Sequence, residues 1–319
     1  MPLVDMPLEQ LRTYAGRNPR PADFDAYWDK ALSEMHSLDA KVELVKAPFQ
    51  TSFAECFDMY FTGVRGARIH AKLLRPKKLS GKAPAVCRFH GYTGNAGDWA
   101  GYLQYVAAGF VVAGMDCRGQ GGSSEDVGGV RGNTHNGHII RGLHDSAQKL
   151  LFRDIFLDTA QLAGLVINMP EVDPSRVAAE GGSQGGGLTL ACASLEPRIR
   201  RAAPTYPFLC DYLRVWEMDL AKDAYAEMRT FLRQFDPNHG NMDEWFRRLG
   251  YIDCQHLAPR IRAEVLMATG MMDTVCPPST QFAAYNKITA KKDMVIYPDF
   301  GHEGLPGWSD RVYQFVTGM

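Results

Sequence analysis

No stretch of this sequence stays apolar for long enough to span a bilayer, which excludes a transmembrane helix. An excess of one charge sign is missing too. Lysine and arginine number 35 against 36 aspartates and glutamates, a net charge of −1, so there is no broad positive field to attract nucleic acid. Cysteine is sparse: the seven, at positions 56, 87, 117, 192, 210, 254 and 276, are scattered, odd in number and free of C-x-x-C spacing. That usage fits a reducing compartment and argues against a disulfide framework or structural zinc, and Cys117 and Cys276 read as packing residues. His135, His138 and His144 match no metal-ligand spacing, so neither metal nor cofactor is expected. The opening Met1-Pro2-Leu3-Val4-Asp5-Met6-Pro7 has neither a basic start nor an apolar core; the expectation is no secretory signal and a cytoplasmic location. Internal repeats, low-complexity tracts and long linkers are absent as well.

What is present is a chain of 319 residues with 45% hydrophobic content, enough for one large α/β domain with a full core. Residues 1 to 40 read as an amphipathic helical arm, with Phe24, Tyr27, Trp28, Leu32 and Met35 at helical spacing. Residues 42 to 75 read as three strands at an antiparallel sheet edge, with Val64-Arg65-Gly66 as a turn. From Pro84 onward, strand-like runs such as Phe110-Val111-Val112-Ala113-Gly114-Met115 alternate with helical ones, the pattern of a mainly parallel sheet flanked by helices. Residues 211 to 256 break the alternation with Leu213, Trp216, Met218, Leu220, Phe231, Leu232, Trp245 and Phe246 amid many charges. This reads as a helical insertion over the active-site end of the sheet. The run Arg198-Ile199-Arg200-Arg201 reads as a solvated helix end.

The sharpest chemical signal is Gly181-Gly182-Ser183-Gln184-Gly185, directly after the apolar Val177-Ala178-Ala179. A strand followed by G-x-S-x-G is the sequence form of a nucleophile elbow, a strained turn whose flanking positions must be nearly free of side chain. Gly181 and Gly185 fill those positions, and Ser183 is the candidate nucleophile. A serine hydroxyl needs a histidine base and a carboxylate to orient it, in the chain order Ser, acid, His. Downstream lie only His239, His256 and His302. His302 follows the strand-like Met294-Val295-Ile296-Tyr297 through a short turn, the place a base must occupy, whereas His239 and His256 read as surface residues. Asp273, just past the strand-like Glu264-Val265-Leu266-Met267-Ala268, is the expected acid, with Asp299 as its competitor. Two N–H donors must meet the developing oxyanion. One is expected from Gln184, and the other from Tyr92 in the loop His90-Gly91-Tyr92-Thr93-Gly94 after Pro84-Ala85-Val86-Cys87-Arg88-Phe89.

The motifs Arg118-Gly119-Gln120, Gly181-Gly182-Ser183-Gln184-Gly185 and His302-Glu303, with His90-Gly91-Tyr92 before them, resemble the acetyl xylan esterase and cephalosporin C deacetylase family of carbohydrate esterases, family 7. Gly137-His138-Ile139-Ile140-Arg141-Gly142, Tyr206-Pro207-Phe208-Leu209 and Cys276-Pro277-Pro278-Ser279-Thr280 extend the resemblance over nearly the whole chain. Lys149-Leu150-Leu151-Phe152-Arg153-Asp154 departs from it, standing where the family has a tyrosine-rich run. The resemblance implies an α/β-hydrolase fold, a triad of Ser183, Asp273 and His302, and oxyanion donors at Tyr92 and Gln184. It also implies a homo-hexamer, a dimer of trimers, whose internal cavity admits small acetylated sugars or antibiotic esters. Tyr92, Pro207 and Phe208 are expected to wall a small acetyl pocket. Arg118 either binds a substrate oxygen or braces the loops through bidentate bonds, and bracing is the reading adopted. An acyltransferase, a relative of the prolyl oligopeptidases and a non-catalytic binding module on the same scaffold are the alternatives to an acetyl esterase.

Overall fold

The computed structural model describes residues 4–127 and 138–319; His135 and Gly137 lie outside them. Its centre is one nine-stranded sheet in the order β1-β2-β3-β5-β4-β6-β7-β8-β9. The strands are β1 (Glu43–Lys46), β2 (Ala54–Thr62), β3 (Arg68–Pro76), β4 (Ala83–Phe89), β5 (Val111–Met115), β6 (Val172–Gly182), β7 (Arg201–Thr205), β8 (Glu264–Gly270) and β9 (Lys292–Tyr297). β1 to β3 form the expected antiparallel edge, and β3 joins β5 antiparallel. From β5 through β4 to β9 every pairing is parallel. Val64–Gly66 forms a single helical turn between β2 and β3.

The central strands carry apolar stretches such as Val111–Met115 and 177–179 because both of their faces are covered. Successive side chains point to opposite faces of a sheet, and the two cores divide them accordingly. Ala85, Cys87, Val111, Ala113, Val177 and Ala179 enter one core, while Val86, Val112 and Ala178 enter the other. The larger core lies under α2 (Phe24–His36), α4 (Leu151–Ile167) and α5 (Gln184–Leu195). The smaller lies under α3 (Leu103–Ala107) and α11 (Trp308–Thr317), with Tyr105, Val106, Trp308, Val312 and Val316.

The N-terminal segment, α1 (Leu8–Leu11) and α2, is packed onto the body of the protein rather than extended from it. Trp28 is fully buried, stacks on Phe156 of α4 at 6.0 Å and donates from Nε1 to the Tyr251 carbonyl at 3.0 Å. The insertion folds as α6 (Tyr212–Glu217), α7 (Ala226–Phe235), α8 (Met242–Leu249) and α9 (Cys254–Leu257), before β8 rejoins the sheet and α10 (Pro278–Lys287) follows it. One buried carboxylate ties it to the N-terminal segment. Asp211 accepts from the Tyr14 hydroxyl at 2.8 Å and from the backbone N–H of Arg17 and Asn18 at 2.9 and 2.7 Å. Burial, reinforced by Asp211, pushes the Tyr14 hydroxyl pKa up. In the departing segment 149–154, Arg153 pairs with Asp154 at 3.1 Å beneath the buried Leu150, Leu151 and Phe152.

Two readings of the sequence are corrected. Arg198–Arg201 is not a helix end: α5 stops at Leu195, Ile199 is buried and Arg201 opens β7. His256 is not a surface residue but is buried on α9, with its ring edge-on to Phe24 at 5.8 Å. In sequence it follows the polar Asp253 and Gln255; in the fold Phe24 of the N-terminal helix packs against it. Burial, with help from Lys287, drives its pKa down to about 3. The folded state therefore holds a neutral imidazole that the unfolded chain protonates below about pH 6.5. The stability tied to this neutral ring is intact above pH 6.5 and is lost as pH falls towards 3. A His256→Gln variant is expected to lose less stability than the native chain between pH 6.5 and 4, as measured by urea unfolding at each pH.

Candidate active site

β6, β8 and β9 run parallel, so the loops beyond their C-terminal ends emerge at one edge of the sheet, where open α/β sheets build their sites. Ser183 follows β6 directly and precedes the first residue of α5; its backbone is strained at φ 58 and ψ −120. The turn is this tight because α5 starts against β4. A Cβ on Gly185 would lie 2.1 Å from the Phe89 carbonyl oxygen, and one on Gly181 would lie 2.6 Å from it. The Ser183 N–H donates to the Thr205 carbonyl at 3.0 Å, which pins the elbow to the end of β7.

Asp273 follows β8 and His302 follows β9. Backbone bonds stitch their loops together, from Met271 N to the Tyr297 carbonyl and from Met272 N to the Phe300 carbonyl, both 2.9 Å. His302 Nδ1 is 2.8 Å from Asp273 Oδ2, and its Nε2 is 3.0 Å from Ser183 Oγ. Asp273 is fully buried, and its other oxygen accepts from the N–H groups of Val275 and Cys276 at 2.8 Å each. The competitor Asp299 is exposed on the turn before His302. This geometry lets a proton pass from serine to imidazole while a buried carboxylate holds the tautomer that receives it.

Tyr92 occupies the turn after β4, and Gln184 is the first residue of α5. Hydrogen bonds hold both in place. His90 donates from Nδ1 to the Gly91 carbonyl at 2.7 Å and accepts at Nε2 from Cys117 N–H at 3.0 Å, a pair that requires the neutral ring. Burial lowers the His90 pKa and favours that state. Gln184 and Gln120 exchange side-chain amide bonds, 2.6 Å one way and 2.9 Å the other, and Gly119 turns at φ +64 between Gln120 and Arg118. Arg118 is buried, and its bonds go to α4 and to the turn between β2 and β3. Its guanidinium holds both oxygens of Asp158 at 2.5 and 2.7 Å and the Val64 carbonyl at 3.0 Å. Burial pushes the Asp158 carboxyl up to about 6 against the pull of Arg118.

Pro207 and Phe208 are both buried. The Phe208 ring lies 5.2 Å from that of Tyr92 and 4.3 Å from that of Tyr225, so it backs Tyr92, and its N–H bonds the Ser183 carbonyl at 3.0 Å. Beside Tyr92 opens a cavity of about 330 Å3, lined among others by Thr93, His138, Asp223, Glu227 and Thr230. Tyr206, quoted from sequence only as part of a family-like motif and given no role in the site, places its ring 4.5 Å from that of His302. His138 packs edge-on to Tyr92, and His144 lies among Phe231, Phe235 and Trp245. Among the described residues, one group has donor atoms close enough to share a metal ion: Asp273, Cys276 and His302, within 4.8 Å of one another. The carboxylate and imidazole are already bonded to each other, and burial keeps the Cys276 thiol protonated, so the set fits hydrogen bonding better than a metal.

Parallel strands, an elbow at the end of β6 and acid and histidine loops after β8 and β9 define the class: this is an α/β-hydrolase. An acylaminoacyl peptidase of Pyrococcus horikoshii shares that fold at a TM-score of 0.60 and 16% identity, over 84% of this chain and 41% of its own. Much closer is acetyl xylan esterase 1 of Thermoanaerobacterium sp. JW/SL YS485, 62% identical with a TM-score of 0.97, covering 98% of this chain and 99% of that one. An acetyl xylan esterase of Paenibacillus sp. R4 is 34% identical with a TM-score of 0.93 over 98% and 99% of the two chains. An acetyl esterase of Xylanibacter ruminicola is 28% identical over 91% of this chain, which spans 64% of that protein's length. The family model for acetyl xylan esterase (AXE1) matches residues 1–319, and the chain belongs to that family of carboxylic ester hydrolases.

The contacts of Arg118 assign its stabilising bonds to α4. Lysine keeps the charge but cannot form the two-pronged bond, and a hydrogen bond between charged groups contributes about 1.5–3 kcal/mol. Arg118→Lys is expected to lower the melting temperature by several degrees and to leave the Michaelis constant within about twofold. A normal melting temperature with a much raised Michaelis constant would point to substrate contact instead.

Proposed function

We propose that this chain is a serine esterase that removes acetyl groups from short acetylated sugars, xylo-oligosaccharides among them, and from cephalosporin C-like acetyl esters. The observation that carries this reading is the serine, at strained backbone angles, 3.0 Å from a histidine that a fully buried carboxylate holds at 2.8 Å. His302 Nε2 takes the Ser183 proton as Oγ attacks the acetyl carbonyl. The backbone N–H groups of Gln184 and Tyr92 receive the oxyanion, and the start of α5 adds the positive end of a helix dipole. His302 then hands the proton to the departing sugar oxygen as the C–O bond breaks, leaving an acetyl group on Ser183. Water, deprotonated by the same imidazole, attacks that ester, and acetate leaves as the proton returns to Oγ.

Tyr92, backed by Phe208 and Pro207, walls a small acyl pocket in this reading, while the alcohol side faces more open space. Membership of the acetyl xylan esterase family supports the acetyl preference. The cytoplasmic location and the hexamer of two trimers belong to the same proposal, with small imported acetylated sugars as the substrates that reach an enclosed site.

The expected result is acetate release from acetylated xylo-oligosaccharides, cephalosporin C and 4-nitrophenyl acetate. Ser183→Ala should abolish all three, with a loss on the order of 10⁴-fold or more, the scale seen when a triad nucleophile is removed. Octanoyl esters should react far more slowly than acetyl esters; equal rates would rule out the small pocket. Light scattering on a sizing column should return a hexamer mass, and a monomer mass would remove the enclosed site from the proposal.

A further inference from the structure

We propose that Glu227 is a positioning residue for this esterase reaction: from α7 of the insertion it holds the Tyr92 side chain, and with it the Tyr92 backbone N–H that meets the oxyanion. The inference rests on the reading of Ser183 and Tyr92 given under Proposed function. Glu227 is buried in the first turn of α7. One of its carboxyl oxygens accepts from the Tyr92 hydroxyl and the other from the backbone N–H of Ile139 at 2.8 Å. A single side chain thus joins three segments distant in sequence: the turn after β4, the stretch beginning at His138, and the insertion.

Packing alone does not hold Tyr92 in place. Phe208 and His138 meet its ring at centroid distances of 5.2 and 5.3 Å, but the cavity of about 330 Å3 also opens beside it. A side chain with empty space alongside can swing, and the bond to Glu227 opposes that swing. The consequence for chemistry is steep. Misplacing a reacting group by about 1 Å costs about 10²-fold, and deleting one oxyanion donor costs about 10²–10³-fold. In its ionised form Glu227 accepts from two donors at once, and since burial pushes its pKa up to about 8 that form predominates only above this pH. A glutamine has one accepting oxygen and must give up either Tyr92 or Ile139.

Glu227→Ala, Glu227→Gln and Tyr92→Phe, with Ser183→Ala as the reference, are to be compared on 4-nitrophenyl acetate well below their melting temperatures. Glu227→Ala and Tyr92→Phe are expected to lower kcat by about 10- to 100-fold with KM within about threefold, the signature of an interaction realised in the transition state. Glu227→Gln should fall between them and the native enzyme. Should Glu227→Ala not fold, Tyr92→Phe, which removes one hydroxyl and keeps the ring, decides the matter. A native kcat in both Tyr92→Phe and Glu227→Gln, whatever their melting temperatures, overturns the proposal. If Ser183→Ala is inactive in that case, the esterase reading survives and only the role of Glu227 falls; if Ser183→Ala is active, the esterase reading itself fails.

Discussion

The contact on which the rest of the site depends is that between the first turn of α5 and the carbonyl of Phe89 at the end of β4. No side chain fits there, as the 2.1 Å approach of a hypothetical Gly185 Cβ shows. Because the helix starts so close to the neighbouring strand, Ser183 is forced into angles that an L-residue rarely adopts, and its hydroxyl is lifted towards His302. The same closeness brings the loop after β4, with Tyr92, beside the start of α5. The elbow serine and the candidate oxyanion donors therefore share one steric cause.

Around that contact the protein spends its buried polar groups on rigidity. Gln120 and Gln184 form a closed amide pair, His90 bridges two loops, Arg118 is committed to Asp158, and Asp273 has both oxygens occupied. Buried polar groups that are fully satisfied favour one arrangement over its neighbours. N–H groups held this way need little reorganisation to meet a developing negative charge, which is where electrostatic catalysis gains most.

The backbone of the site was legible in the sequence because its constraints are local. An elbow demands glycine at fixed offsets, and a candidate acid and base must follow apolar runs, so Ser183, Asp273 and His302, which the fold brings into one hydrogen-bonded row, were singled out from punctuation and order. Strands β4, β5 and β8 were equally plain because each carries an apolar run covered on both faces, whereas β7 was missed because Arg201 opens it and the basic Arg198–Arg201 reads as a helix end. What escaped depends on long-range packing. His256 owes its burial to the packing of α9 against elements distant in sequence, Phe24 of the N-terminal helix among them, and Tyr206 meets His302 on a loop nearly a hundred residues later. Glu227 looked like one more charge in a charged insertion. For such residues the deciding partner is set by the tertiary structure, and no local period announces it.

The bonds from Tyr14, Arg17 and Asn18 to Asp211 join groups 193 to 197 positions apart. During vectorial synthesis these donors leave the ribosome long before their acceptor exists, and at about 5–20 residues per second the wait is on the order of ten seconds or more. Meanwhile the apolar face of α2, with Phe24, Trp28 and Met35, has no finished surface to cover. The segment around α2 thus settles only after the insertion that carries Asp211 has been made, and a nascent polypeptide that exposes it is an expected client for a chaperone that shields aromatic side chains.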